Sequence, residues 1–78
     1  MRNKIEDRVT RVMSAVFEIA EENIKDDSSP DTIESWDSLK HINLVVALEE
    51  EFKSEFSEDE ILEMLNYKLI INIITSKI

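Results

Sequence analysis

Apolar residues in the first quarter of the chain recur at helical spacing. Ile5, Val9, Val12, Met13, Val16 and Ala20 fall on one face, with Arg8, Arg11 and Glu18 between them, which predicts an amphipathic helix over about residues 4–22. The pattern then stops. Asp26 to Trp36 is polar and carries Ser28, Ser29 and the sole proline, Pro30, a composition that breaks regular structure and predicts a long connecting loop. Ile33 and Trp36 are expected to tuck into the core, because so long an unsupported segment is unusual in a small domain. From Ser38 to Phe52 apolar positions are dense (Leu39, Ile42, Leu44, Val45, Val46, Ala47, Leu48, Phe52), with Glu49, Glu50 and Glu51 near the end. Such breadth predicts a helix contacted on several sides.

Ser57 followed by Glu58, Asp59 and Glu60 predicts a capping box, in which the serine accepts a backbone N–H and Glu60 reaches back. A short helix through Leu65 should follow. Tyr67, Ile70, Ile71, Ile74 and Ile78 stand at i, i+3, i+4, i+7 and i+11. Their isoleucines would tolerate a strand, but no partner strand is evident, so a last helix is expected. The fold class is therefore all-α, a four-helix bundle of three longer helices and a short third. Its core is predicted at Val9, Val12, Val16, Leu44, Leu48, Ile61, Ile70 and Ile74. Glycine is absent, so the helices are expected to end on Asn, Asp or Ser rather than on a left-handed glycine.

Length and charge narrow the function. Seventy-eight residues bury too little surface to divide between two cores, so residues 1–78 are expected to be a single domain. Eighteen acidic against nine basic side chains give a formal charge of −9, which repels nucleic acid and anionic lipid and attracts basic protein surfaces. The lack of cysteine removes disulfides, thiolate metal sites and a thiol nucleophile, and fits a cytoplasmic location. Asn43 and Asn72 interrupt the longest apolar stretches, which fall far below the roughly 20 residues of a membrane span. Met1, Arg2, Lys4, Glu6 and Asp7 do not form a signal peptide.

The candidate chemistry gathers at Asp37-Ser38-Leu39, where the loop meets the central helix. A hydroxyl there lies beside free backbone N–H groups and the positive end of the helix dipole, a place that favours an attached phosphate. The plainer structural role is that Asp37 or Ser38 is an N-cap. The wider context weighs against that role alone. Ser35-Trp36-Asp37-Ser38-Leu39-Lys40-His41-Ile42-Asn43-Leu44-Val45-Val46-Ala47-Leu48-Glu49-Glu50-Glu51-Phe52 resembles the attachment site and central helix of acyl carrier proteins. The order of elements around it is similar over nearly the whole chain.

The resemblance implies that Ser38 carries 4'-phosphopantetheine, donated by coenzyme A through a phosphopantetheinyl transferase. An acyl or aminoacyl group would ride on the arm as a thioester, loaded by a ligase and read by a downstream synthase or transferase. The chain would then be a monomeric carrier and not an enzyme. Leu44, Val45, Leu48, Ile61 and Leu65 lie where the family tucks its cargo, although core packing accounts for each more simply. Asp37, Leu39, Glu49 and Glu50 are the implied partner contacts. Glu49 and Glu50 belong to an acidic stretch, residues 49–63, with eight carboxylates against one lysine, Lys53, which would steer basic enzymes by long-range attraction. Lys40 and Asn43 stand where fatty-acid-synthesis carriers usually have acids, and Trp36 stands where they usually have glycine, so a specialised pathway is implied.

Three other readings of these residues compete. A hydrolytic Ser38–His41 pair lacks a glycine elbow and an oxyanion hole, which leaves His41 expected as a helix-surface residue. An EF-hand fails because Asp31 and Asp37 stand where glycine and glutamate are required, so no metal site is expected. The alternative from another class is a small acidic helical interaction module without a prosthetic group, with Ser38 only a cap.

Overall fold

The computed structural model describes residues 4–77. Helix α1 (Lys4–Phe17) buries Val9, Thr10, Met13 and Phe17. It stops well short of the expected residue 22 because Glu18 takes a left-handed conformation, φ 56°. The N–H of Ile19 then bonds back to the Ser14 carbonyl at 3.2 Å, the six-to-one closure of a Schellman turn. Residues Glu21–Asn23 form one 3-10 turn. Helix α2 (Ser38–Phe52) ends in the same way. Lys53 has φ 51°, and the N–H of Ser54 reaches the Glu49 carbonyl at 3.2 Å. The expectation that Asn, Asp or Ser would close the helices is thus corrected for both: a glutamate and a lysine take the left-handed position.

Helix α3 (Glu58–Glu63) opens on the capping box, with Ser57 accepting from the Glu60 N–H and Glu60 accepting from the Ser57 N–H. It ends two residues before Leu65, which turns Met64 inward to 1 % exposure and leaves Leu65 outside at 62 %. Asn66 then caps helix α4 (Tyr67–Lys77), its side-chain oxygen accepting the Leu69 N–H at 2.8 Å. Ile78 lies outside the described residues. Among the described residues there is no strand.

The core joins α1, α2 and α4. Val9, Met13, Leu44, Leu48, Ile70 and Ile74 lose nearly all contact with water. Val12, Val16 and Ile61, expected beside them, are only partly buried at the margin, and Trp36, Phe52, Met64 and Tyr67 fill the interior instead. The Cα radius of gyration is 11.2 Å, close to the roughly 11.5 Å of a compact chain of this length.

Polar ties fix how the helices meet. The Tyr67 hydroxyl lies 3.2 Å from the Glu6 carbonyl, to which it can donate, and shares a 2.8 Å bond with Thr10 Oγ1. That pair, buried on both sides, joins α4 to α1. Arg8 joins α1 to α2: Nε lies 2.6 Å from a Glu51 carboxylate oxygen, and the guanidinium sits over the Phe52 ring, 4.4 Å from its centre.

The loop before α2 is held along its length. Ile24, Ile33 and Trp36 are buried. The Ser28 carbonyl accepts the Tyr67 N–H at 2.9 Å, and Ser35 Oγ donates to the Phe17 carbonyl at 3.1 Å. Its last residues are therefore delivered to the start of α2 in a defined position.

Candidate functional site around Ser38

Asp37, not Ser38, is the cap of α2. Its backbone is extended (φ −106°, ψ −174°), its carboxylate accepts the Lys40 N–H at 2.8 Å, and its carbonyl accepts the His41 N–H at 2.8 Å. Ser38 is the first helical residue and is exposed. Its hydroxyl is thereby relieved of capping and stands at the positive end of a fifteen-residue helix, where an attached phosphate is favoured by the dipole.

Trp36 anchors this corner. It is 3 % exposed, stacks on Phe17 with ring centres 5.0 Å apart, and donates its indole N–H to His41 Nδ1 at 3.0 Å. Since Nδ1 accepts, the ring proton lies on Nε2, which is 3.1 Å from the Ile61 carbonyl and donates to it. The expectation of His41 as a surface residue is corrected: it is half-buried and links the loop, α2 and α3. Both of its ring nitrogens are engaged by partners other than Ser38. Lys40, one residue earlier, points the other way and donates to the Val16 carbonyl at 3.2 Å.

A cavity of about 600 Å³, open to solvent, lies against Ser38. Ile42 from α2, Ile61 and Leu62 from α3, and Met64 and Leu65 after it supply apolar walls, and Trp36 and His41 also line it. Of the five residues implied for cargo, Ile61 and Leu65 line this cavity, whereas Leu44, Val45 and Leu48 are core residues at 0 %, 4 % and 0 % exposure. A flexible apolar group tethered at Ser38 fits the space, and the exposed hydroxyl fits a phosphodiester.

The implied partner contacts divide. Leu39 is 70 % exposed, Glu50 is exposed, and Asp37 is exposed while its carboxylate holds the cap. Glu49 turns inward and accepts the Phe56 N–H at 3.0 Å, so its role in the fold is to hold the turn after α2. Ile42 and Val46, 54 % and 48 % exposed, extend Leu39 into an apolar stripe at i, i+3 and i+7. The expectation that α2 is contacted on several sides is corrected by this stripe, whose spacing is visible in the sequence once the opposite face (Leu44, Val45, Leu48, Phe52) is assigned to the core.

Glu51 is taken by Arg8. Glu60 is held by the Ser57 N–H and by Lys77 at 3.1 Å, and these, the Ser57 backbone bond first, keep its carboxyl below the usual glutamate range. Glu55, Glu58, Asp59 and Glu63 remain exposed. Among the described residues no group of His, Cys, Asp and Glu is arranged to hold a metal ion, and no helix is long and apolar enough to cross a membrane. No protein-family model matches the chain.

Proposed function

We propose that this chain is a specialised acyl carrier protein, bearing 4'-phosphopantetheine on Ser38. The observation that carries the reading is the division of labour at the start of α2, where Asp37 performs the capping and leaves the Ser38 hydroxyl exposed at the helix N-terminus, beside an apolar cavity. When bound, the arm supplies the thiol on which an acyl or aminoacyl group is held as a thioester. The chain's own part is positional. The N-terminal N–H groups of α2 favour the phosphate charge, Ile42, Ile61 and Leu65 offer the cargo a surface away from water, and Leu39 with Glu50 faces outward towards a phosphopantetheinyl transferase and the loading and receiving enzymes. The carrier performs no bond making or breaking of its own. Its reaction partners meet the cargo at high local concentration because the arm tethers it.

The test is the intact mass of the purified chain after incubation with coenzyme A and a broad-specificity phosphopantetheinyl transferase, beside Ser38→Ala. Gain of one phosphopantetheine group by the wild type alone is the expected result. No gain by folded protein with several transferases would overturn the carrier reading in favour of an acidic interaction module, for which the exposed stripe of Leu39, Ile42 and Val46 would be the docking face.

A further inference from the structure

The cavity beside Ser38 ends on the core. Its lining includes Trp36 and Met64, both almost wholly buried, whereas Leu44 and Leu48, buried on the inner face of α2, do not line it. The His41 ring stands at this boundary. From α2 it reaches α3, with Nε2 3.1 Å from the Ile61 carbonyl, while Nδ1 accepts the Trp36 indole N–H at 3.0 Å. The two rings lie nearly parallel, 17° apart with centres separated by 6.1 Å. Trp36 is held in turn by its stacking on Phe17, so the pair is fixed from the core side.

On the outer side of that boundary the cavity is an apolar groove open to solvent. Ile42 lines it from α2, and Leu62 and Leu65 from the other side, all three exposed. An acyl group folded back on a flexible arm can cover these side chains from outside. Each methylene that leaves water shifts an equilibrium by roughly fourfold, so the groove favours such a group. Entry into the core is opposed. Passage at His41 breaks both ring bonds and leaves the indole N–H of buried Trp36 without a partner, a loss of roughly fivefold to a hundredfold. The interior beyond is already filled by Val9, Leu44, Leu48 and Ile70, none of them exposed, and a chain entering there must displace them as well.

We propose that the group carried at Ser38 is a compact apolar acyl group held in this open groove, and that His41, backed by Trp36, is the specificity-determining residue that bars longer chains from the core. The barrier is a property of the fold, but its bearing on cargo rests on the carrier reading of Ser38. A chain that outgrows the groove is left partly in water, because the imidazole stands where it would have to pass. Removal of the imidazole joins the groove to Met64 and the buried face of α2, so that a longer chain gains cover.

The experiment loads Ser38 from butyryl-, octanoyl- and dodecanoyl-coenzyme A with a broad-specificity phosphopantetheinyl transferase, in the wild type, His41→Ala and His41→Phe. Intact mass reads loading, methyl NMR reads where the chain lies, and thioester cleavage by hydroxylamine reads how far it is shielded. In the wild type all three groups should shift the methyls of Ile42, Leu62 and Leu65 and leave those of Leu44 and Leu48 unmoved, with dodecanoyl cleaved no more slowly than octanoyl. In His41→Ala, dodecanoyl should shift Leu44 and Leu48 and be cleaved roughly tenfold more slowly, as further methylenes leave water. His41→Phe keeps a ring at the boundary without its bonds and should behave as the wild type. Leu44 and Leu48 methyls that move with dodecanoyl in the wild type would overturn the proposal whether or not His41→Ala folds. So would a folded His41→Ala that still excludes dodecanoyl, or a His41→Phe chain that admits it as readily as His41→Ala. Failure of Ser38 to load would overturn the carrier reading alone. Since the chain has no cysteine, the same alkyl chains joined as disulfides to Ser38→Cys then read the barrier by the same methyl shifts.

Discussion

The Asp37 carboxylate accepts the backbone N–H of Lys40 at 2.8 Å, so the residue before Ser38, and not Ser38, holds the first turn of α2. Two neighbouring substitutions should therefore separate stability from function. Asp37→Ala should cost about 1 kcal/mol, the usual loss of an N-cap, with the Ser38 hydroxyl still present to be modified. Ser38→Ala should stay within about 0.5 kcal/mol of wild type and lose all loading. Denaturant midpoints and intact mass give the two readouts, and a Ser38→Ala chain less stable than Asp37→Ala would reverse the assignment of the cap.

The buried hydroxyl pair of Thr10 and Tyr67 makes a second expectation. Tyr67→Phe leaves the ring in the core but removes the hydroxyl bonded to Thr10 and Glu6, at a cost of about 1–2 kcal/mol. Thr10→Val should cost a similar amount, and the double variant less than the sum, because once one partner is gone the other has already lost its bond. Additive losses in denaturant unfolding would show that the hydroxyls act independently.

How far such features were legible from the residues alone depends on how local they are. The capping box could be anticipated because Ser57 and Glu60 lie within one turn of each other, and the buried face of α4 because Tyr67, Ile70 and Ile74 repeat at helical spacing. The helix ends could not. Nothing in the residue types Glu18 and Lys53 marks a left-handed position, so α1 was expected to run on past Phe17, and α3 past Glu63, which exchanged the places of Met64 and Leu65. His41 shows the same limit at the site itself. Its bonds run to residues five and twenty positions away, and no periodicity links a loop tryptophan, a helix histidine and a backbone carbonyl of another helix. The place of Ser38 at the start of α2 was legible because its setting, a polar loop running into an apolar helix, is written in adjacent residues.

Acid should loosen α3 through Glu60. Its carboxylate is held below the ordinary glutamate range, first by the Ser57 N–H and then by Lys77. A carboxyl depressed in the folded state contributes stability that is present above its unfolded value and is lost as pH falls through the lower folded value. Glu60→Gln keeps an acceptor for Ser57 but not the ion pair with Lys77, so its α3 should lack this acid dependence. Amide exchange over Glu58–Glu63 in the two chains, followed as pH falls, checks it: parallel curves would assign the acid sensitivity to other carboxylates.

The two left-handed residues predict where the fold can be strengthened. For a residue with a Cβ, the left-handed conformation costs roughly 1 kcal/mol relative to glycine, and Glu18 and Lys53 occupy it only because the six-to-one bonds to Ser14 and Glu49 require it. Replacement by glycine removes that cost, and the greater freedom glycine gives the unfolded chain offsets part of the gain. Lys53→Gly should therefore raise stability by about 0.5 kcal/mol. Glu18→Gly should gain as much, since its contact with Lys40 at 3.9 Å is made by a side chain 84 % exposed, and such surface pairs contribute little. Each change should move the denaturant midpoint without altering the slope of the transition. Alanine at either position keeps the Cβ and should gain nothing, so equal midpoints for the glycine and alanine variants would show that these turns are not strained.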